Sequence, residues 1–152
     1  MRRALGLLLS VPLLLVTAIP VAAQGPTREA SPLPDLIVDA SCGYTINVTF
    51  PANDEYALTF TDSDGQVIRL IITGRLVVTF TNALTGASYT ANISGPSHID
   101  FVLGTSTQEG RIGGPVGSLP GLNVFAGRVD FVSGVMRGRL IADVCAVLAP
   151  PA

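Results

Sequence analysis

The sequence predicts an all-β domain: an antiparallel up-and-down barrel of about eight strands, with a two-sheet β-sandwich as the alternative. Three observations predict it. Apolar residues recur at every second position in most segments after residue 43. Short turns rich in Gly, Asn and Asp separate those runs. No stretch after residue 24 carries a helical period. A period of two is the mark of strands with one buried face, and short connections favour antiparallel neighbours.

The elements follow in chain order. Residues 1–23 read as a signal peptide. Arg2 and Arg3 are followed by an apolar run from Ala4 to Ala18, and Val21-Ala22-Ala23 supplies the small residues of a cleavage site before Gln24. Residues 24–34, QGPTREASPLP, are polar and proline-rich and read as a flexible lead-in. Residues 35–148 form the domain. In its first half Tyr44, Ile46, Val48 and Phe50 share one parity. So do Tyr56, Leu58 and Phe60, then Leu76, Val78 and Phe80, then Tyr89, Ala91 and Ile93, then Ile99, Phe101 and Leu103. Asp62-Ser63-Asp64-Gly65, Thr73-Gly74, Asn82 to Gly86 and Gly95-Pro96-Ser97 mark the turns between them.

The second half is less regular. Thr105 to Gly121 carries five glycines and two prolines, which predicts one short strand near Gln108–Ile112 and then a long loop suited to a rim or contact surface. From Leu122 the parity changes around Gly127, which reads as a β-bulge. The last strand turns Leu140, Ala142 and Val144 inward, and residues 149–152 read as a frayed tail.

The chain has 152 residues, one His and no Trp. Loss of Arg2 and Arg3 with the leader leaves seven basic and eleven acidic residues, a net charge near −4. That balance excludes nucleic acid and anionic membrane as partners, since both require a basic face. After leader cleavage no stable membrane span is expected, and the predicted strands are shorter than the roughly 9–11 residues a spanning strand needs. Export implies an oxidising compartment, so the two cysteines, Cys42 and Cys145, are expected to form a disulfide that pins the two ends of the domain together.

Few residues of the sequence stand in patterns that carry chemistry. Asp62-Ser63-Asp64-Gly65 matches the opening of a calcium loop, but position 73 is Thr where such a loop requires Glu, and Asp-Gly between strands is an ordinary hairpin turn. His98 has the parity of Asp100, and these two with Asp130 are the first suspects for acid–base chemistry. A lone His with neither CxxC spacing nor a Gly-x-Ser-x-Gly elbow carries no zinc site or hydrolase triad. Arg111 on a glycine-rich stretch could meet an anion, but a solvated charge is the simpler reading. Asn47 and Asn92 sit in glycosylation acceptor triplets, and both take the outward parity of their strands. No catalytic, cofactor-binding or metal-binding residue is assigned, and no cofactor is expected.

Asp39-Ala-Ser-Cys42-Gly43, Leu84-Thr-Gly-Ala-Ser-Tyr-Thr-Ala-Asn-Ile-Ser-Gly-Pro96, Gly127-Arg128-Val129 and Val144-Cys145-Ala146-Val147-Leu148 together resemble a group of uncharacterised small secreted β-rich proteins of high-GC, mainly actinobacterial, bacteria. The resemblance covers most of residues 35–148. It implies export, a cysteine pair and a β fold, and no activity. The expected function is a secreted or cell-envelope module without catalysis. It would bind a small apolar ligand, or act as a surface or structural protein through a protein partner. The alternative is a β-barrel enzyme of the isomerase or cyclase type on an apolar substrate. In the barrel reading, Tyr44, Phe50, Phe60, Phe80, Phe101 and Phe131 are the aromatics available to fill the interior.

Overall fold

The computed structural model describes residues 25–151. The expected leader, residues 1–23, lies outside them, as do Gln24 and Ala152. Eleven strands and one short helix follow in order among the described residues: β1 (Thr27–Ala30), β2 (Leu36–Asp39), β3 (Ile46–Asn53), β4 (Tyr56–Thr61), β5 (Val67–Thr73), β6 (Leu76–Asn82), β7 (Ser88–Asn92), β8 (Ser97–Asp100), β9 (Thr105–Gly114), β10 (Asn123–Asp130), β11 (Met136–Asp143) and α1 (Val144–Val147). They build two antiparallel sheets. One has seven strands in the order β1-β4-β5-β8-β9-β10-β11, the other four in the order β2-β3-β6-β7. The barrel is therefore corrected to a sandwich-like pair of sheets, with edges left open at β1, β11, β2 and β7.

The reason lies at the corners. Gly74–Arg75 and Ile93–Pro96 look like hairpin turns in the sequence, yet both, like Asp54–Glu55, carry the chain from one sheet into the other. Asp54 N–H donates to Arg75 O at 2.9 Å, and Ile93 N–H to Leu76 O at 2.9 Å, so neighbouring corners are stitched side by side. Ser94 Oγ accepts from Leu76 N at 2.9 Å where the ladder parts. Strands that switch sheets at bends are a route to crossed sheet packing.

The same line continues through β9, β10 and β11, where Gly110, Gly127 and Gly138 are register partners. A Cβ on Gly127 would collide with Arg137 O and come within 2.7 Å of the Gly138 Cα, and its φ of +151° disfavours any side chain. Backbone here approaches backbone as only glycine permits. The bulge expected at Gly127 is thus corrected. Neither ladder shifts register there, and the shift in β10·β11 falls between Val124 and Phe125.

Burial explains the parity change that suggested a bulge. Val124 belongs to the main core with Ile46, Val48, Leu76, Val78, Phe80, Ala91, Ile93, Leu122, Val144 and Leu148. Phe125 and Val129 belong to a second, smaller core with Ile112 and Val116, closed by Leu119 and Met136. Strand β10 therefore carries apolar side chains on both faces.

Other expectations also change. Thr27–Ala30, inside the segment read as a lead-in, pairs with β4 from Thr27↔Thr59 to Ala30↔Tyr56. Strand β9 runs for ten residues, so the long loop shrinks to residues 115–122. Phe101 and Phe131 do not fill the interior. They stand 56% and 46% exposed on turns. Leu103 and Leu140 are exposed as well. Val144 is buried, but in a single helical turn whose N-cap, Asp143, accepts from Ala146 N.

That turn closes the domain. Cys42 and Cys145 are disulfide-bonded, with Cα atoms 5.1 Å apart across 103 residues of sequence. The Tyr44 hydroxyl donates to Cys145 O beside it. Fully buried Asn82 donates from Nδ2 to Leu148 O at 2.8 Å, and its Oδ1 accepts from Leu84 N at 2.8 Å and Thr85 N at 3.2 Å. One side chain thus ties the β6–β7 turn to the last residues of the fold.

Candidate functional site: an apolar cleft between the sheets

A cleft of about 340 Å³ opens where the two sheets diverge from the corner line. One wall is the inner face of the four-stranded sheet. Ile37, Val48 and Phe80 form a cross-strand row there, and Phe50, Leu76 and Val78 extend it. The opposite wall is the row Ile72, Ser97 and Gln108, register neighbours on β5, β8 and β9. Leu33 from the segment before β2 and Leu122 close it.

Part of the expected aromatic filling is elsewhere, which leaves the cleft open, while Phe50 and Phe80 stay in its wall. Of the six aromatics, Phe80 alone is fully buried. Phe60 pairs in register with Arg69 and lies beneath its guanidinium, 4.0 Å from ring centroid to Arg69 Cζ. Tyr56 is likewise covered by Arg28 at 3.7 Å. The neighbouring pair Leu58↔Ile71 continues to His98, whose parity is opposite to that of the cleft residue Ser97. Tyr56, Leu58 and Phe60 are thus on the face turned away from the cleft, shielded by Arg side chains that contribute cation–π contact and apolar stem.

The polar groups of the cleft are few: Ser31, Asp39, Glu55, Ser97 and Gln108. Asp39 is occupied, since its Oδ1 accepts from Ser41 N at 2.8 Å and Ser41 Oγ at 2.5 Å. Burial pushes the Glu55 carboxyl above its ordinary value of 4.5. This is the direction desolvation gives an acid in apolar surroundings.

The residues singled out from the sequence lie apart from this cleft. His98 and Asp100 do share a face, but it is the opposite one. The Asp100 carboxylate accepts from Val102 N at 3.0 Å and Leu103 N at 2.8 Å, which fixes the β8–β9 turn. Asp130 accepts from Val132 N and Ser133 N, both at 3.0 Å, and those backbone donors, Ser133 first, lower its pKa. Asp62 binds Asp64 N at 2.9 Å and Gln66 N at 2.8 Å, so Asp62-Ser63-Asp64-Gly65 is a hairpin turn. Among the described residues no group of three or more His, Cys, Asp or Glu could hold a metal ion. Arg111 edges a shallow depression of about 650 Å³ with Asn92, Ser94, Ala126 and two glycines of the corner line. That hollow is larger than the cleft, but it is open and contains no enclosing apolar wall.

One feature of the sequence gains meaning only from the fold. Asp100-Phe-Val-Leu-Gly104 and Asp130-Phe-Val-Ser-Gly134 are the same turn written twice. In both, the Asp caps two amides and the Gly takes positive φ, 64° and 71°. The register of β9 with β8 and β10 sets both turns at one end of the larger sheet. Phe101, Val102, Leu103, Phe131, Val132 and Val135 are all exposed there. The repeated Asp-Phe-Val-x-Gly spacing is the signal that could have revealed them.

Comparison with protein-family models, with curated proteins and with solved structures finds no match for the chain.

Proposed function

We propose that the protein is a non-catalytic secreted or cell-envelope β module that holds a small apolar ligand between its two sheets. The observation that carries this is the cleft itself: apolar walls on an intact scaffold, with a few polar groups at defined positions, which is the usual composition of a small-molecule site. A water occupies about 30 Å³ of liquid, so the cleft suits a ligand of on the order of ten non-hydrogen atoms. The disulfide, and the fact that no described helix is long and apolar enough to cross a membrane, fit an extracellular setting.

The test is uptake of 1-decanol by calorimetry, with Ile37→Trp as the blocking variant. Ile37 lines the mouth on edge strand β2 and is itself 39% exposed, so a larger side chain there fills the cleft with little strain on the core. Binding by the wild type and its loss in Ile37→Trp is the expected outcome. Equal binding by both would refute the cleft as the site.

A second reading, attachment to a protein partner, draws support from the apolar fringe on the two Asp-Phe-Val-x-Gly turns, since exposed contiguous apolar surface marks interaction sites. Under it, Phe101→Ser with Val132→Ser abolishes retention on the cell surface and leaves decanol uptake intact. The barrel-enzyme alternative draws less support: His98 and Asp100 face away from the cleft, and the Asp100 and Asp130 carboxylates are already bonded in their turns.

A further inference from the structure

We infer that the cleft selects an apolar molecule whose polar end is a hydrogen-bond donor, an alcohol or a primary amine, and discriminates against a carboxylate of the same length. This rests on the cleft being the ligand site.

The polar groups that line the cleft set this preference. Glu55 and Asp39 are the two charged residues in the lining, and both are acidic. No Arg lines the cleft, and the chain contains no Lys. Glu55 stands two residues before Ala57, and so on the same parity. Ala57 pairs with Ile72, which faces the cleft, so this parity is the one that turns inward. Asp39 is held by Ser41. Glu55 has no side-chain hydrogen-bond partner among the described residues, and Ser97 and Gln108 line the same wall, in the register row of Ile72.

A carboxylate head would enter a partly desolvated space beside a fixed carboxyl with no cation to offset it. An ammonium head would pair with Glu55 through a charge-assisted hydrogen bond, and a hydroxyl could donate to it. The raised pKa of Glu55, caused by burial, is consistent with a carboxyl that lacks a cationic partner.

The experiment is calorimetric titration of the wild-type protein with decylamine, 1-decanol and decanoate, each below its micellar concentration at neutral pH. The three probes share the chain and differ in the head. The amine and the alcohol are expected to bind at least about tenfold tighter than decanoate, roughly the cost of leaving a charge unpaired in such a site. In Glu55→Gln the amine should lose its advantage over the alcohol. The wild-type series decides the question even should that variant not fold. Decanoate binding as tightly as the other two would overturn the selection while leaving the cleft as the ligand site. Failure of all three to bind would overturn the cleft reading, and this inference with it.

Discussion

Removing the disulfide tests how the fold is closed. The bond joins residues 103 apart in sequence, and so encloses most of the described domain. In the chain-entropy picture a closed loop of that length destabilises the unfolded ensemble by about 4.7 kcal/mol relative to an open chain. Set against a total stability of about 5–15 kcal/mol for a domain, that is a third or more. The perturbation is Cys42→Ala with Cys145→Ala, and the assay is urea unfolding without reductant. With a slope of about 1.5 kcal/mol/M, the midpoint should fall by about 3 M. Either single substitution should cost about as much as the pair, because one removal already opens the loop. Local contacts add a smaller loss, since Leu122 N–H donates to Cys145 Sγ at 3.3 Å and Leu122 lines the cleft. Ligand uptake should therefore weaken together with stability. A midpoint shift below about 1 M, well under what the entropy model requires, would refute the reasoning. The ends would then be held by the noncovalent contacts of Tyr44 and Asn82 rather than by the covalent closure.

Three further outcomes are expected. Asn82→Ala should lose about 2–3 kcal/mol in urea titration, because it leaves the buried Leu148 carbonyl and two turn amides without their partner. Gly127→Ala should lose about 2 kcal/mol or more, since its Cβ meets the backbone of β11; Gly134→Ala, at a positive φ but in open space, should lose about 1 kcal/mol. The pH dependence of Glu55 has a defined sign. Its folded pKa is raised, so its contribution is fully present below the ordinary value of 4.5 and is lost as pH rises through the raised value. Relative to Glu55→Gln, the wild type should therefore lose melting temperature as pH rises above 4.5, and a gain instead would refute the desolvation account.

Strand content was legible in the sequence because alternation is local: Ile46 and Val48, or Leu76, Val78 and Phe80, announce their buried face wherever the strand is finally placed. Sheet membership was not. Thr73-Gly74 reads as a hairpin turn, and only the contact of Gly74 with the backbone of Asp54–Glu55 shows that it is a corner between sheets. A tight turn and a sharp corner use the same residues, since both need a backbone free of Cβ. Strands β1 and β2 were missed for a different reason. Thr27–Ala30 and Leu36–Asp39 lie on sheet edges with mostly exposed side chains, so no buried face imposes an alternation.

The cleft is invisible in the sequence for a related physical reason. Apolar parity says that a residue avoids water, but not what covers it. Phe60 satisfies that preference beneath Arg69 on the outer face, and Tyr56 does so beneath Arg28. Phe101 and Phe131 do not satisfy it at all, because Asp100 and Asp130 draw their strands into turns one residue earlier. Each of these four aromatics is one fewer inside, and the inward positions opposite Leu76 and Val78 fall to Ser97 and Gln108. A sandwich creased at glycines, with small or polar residues on one inner wall and branched apolar residues on the other, cannot close its inner faces on each other. The open space between the sheets is therefore a consequence of where the aromatics went, and it is the part of this molecule best suited to receive another.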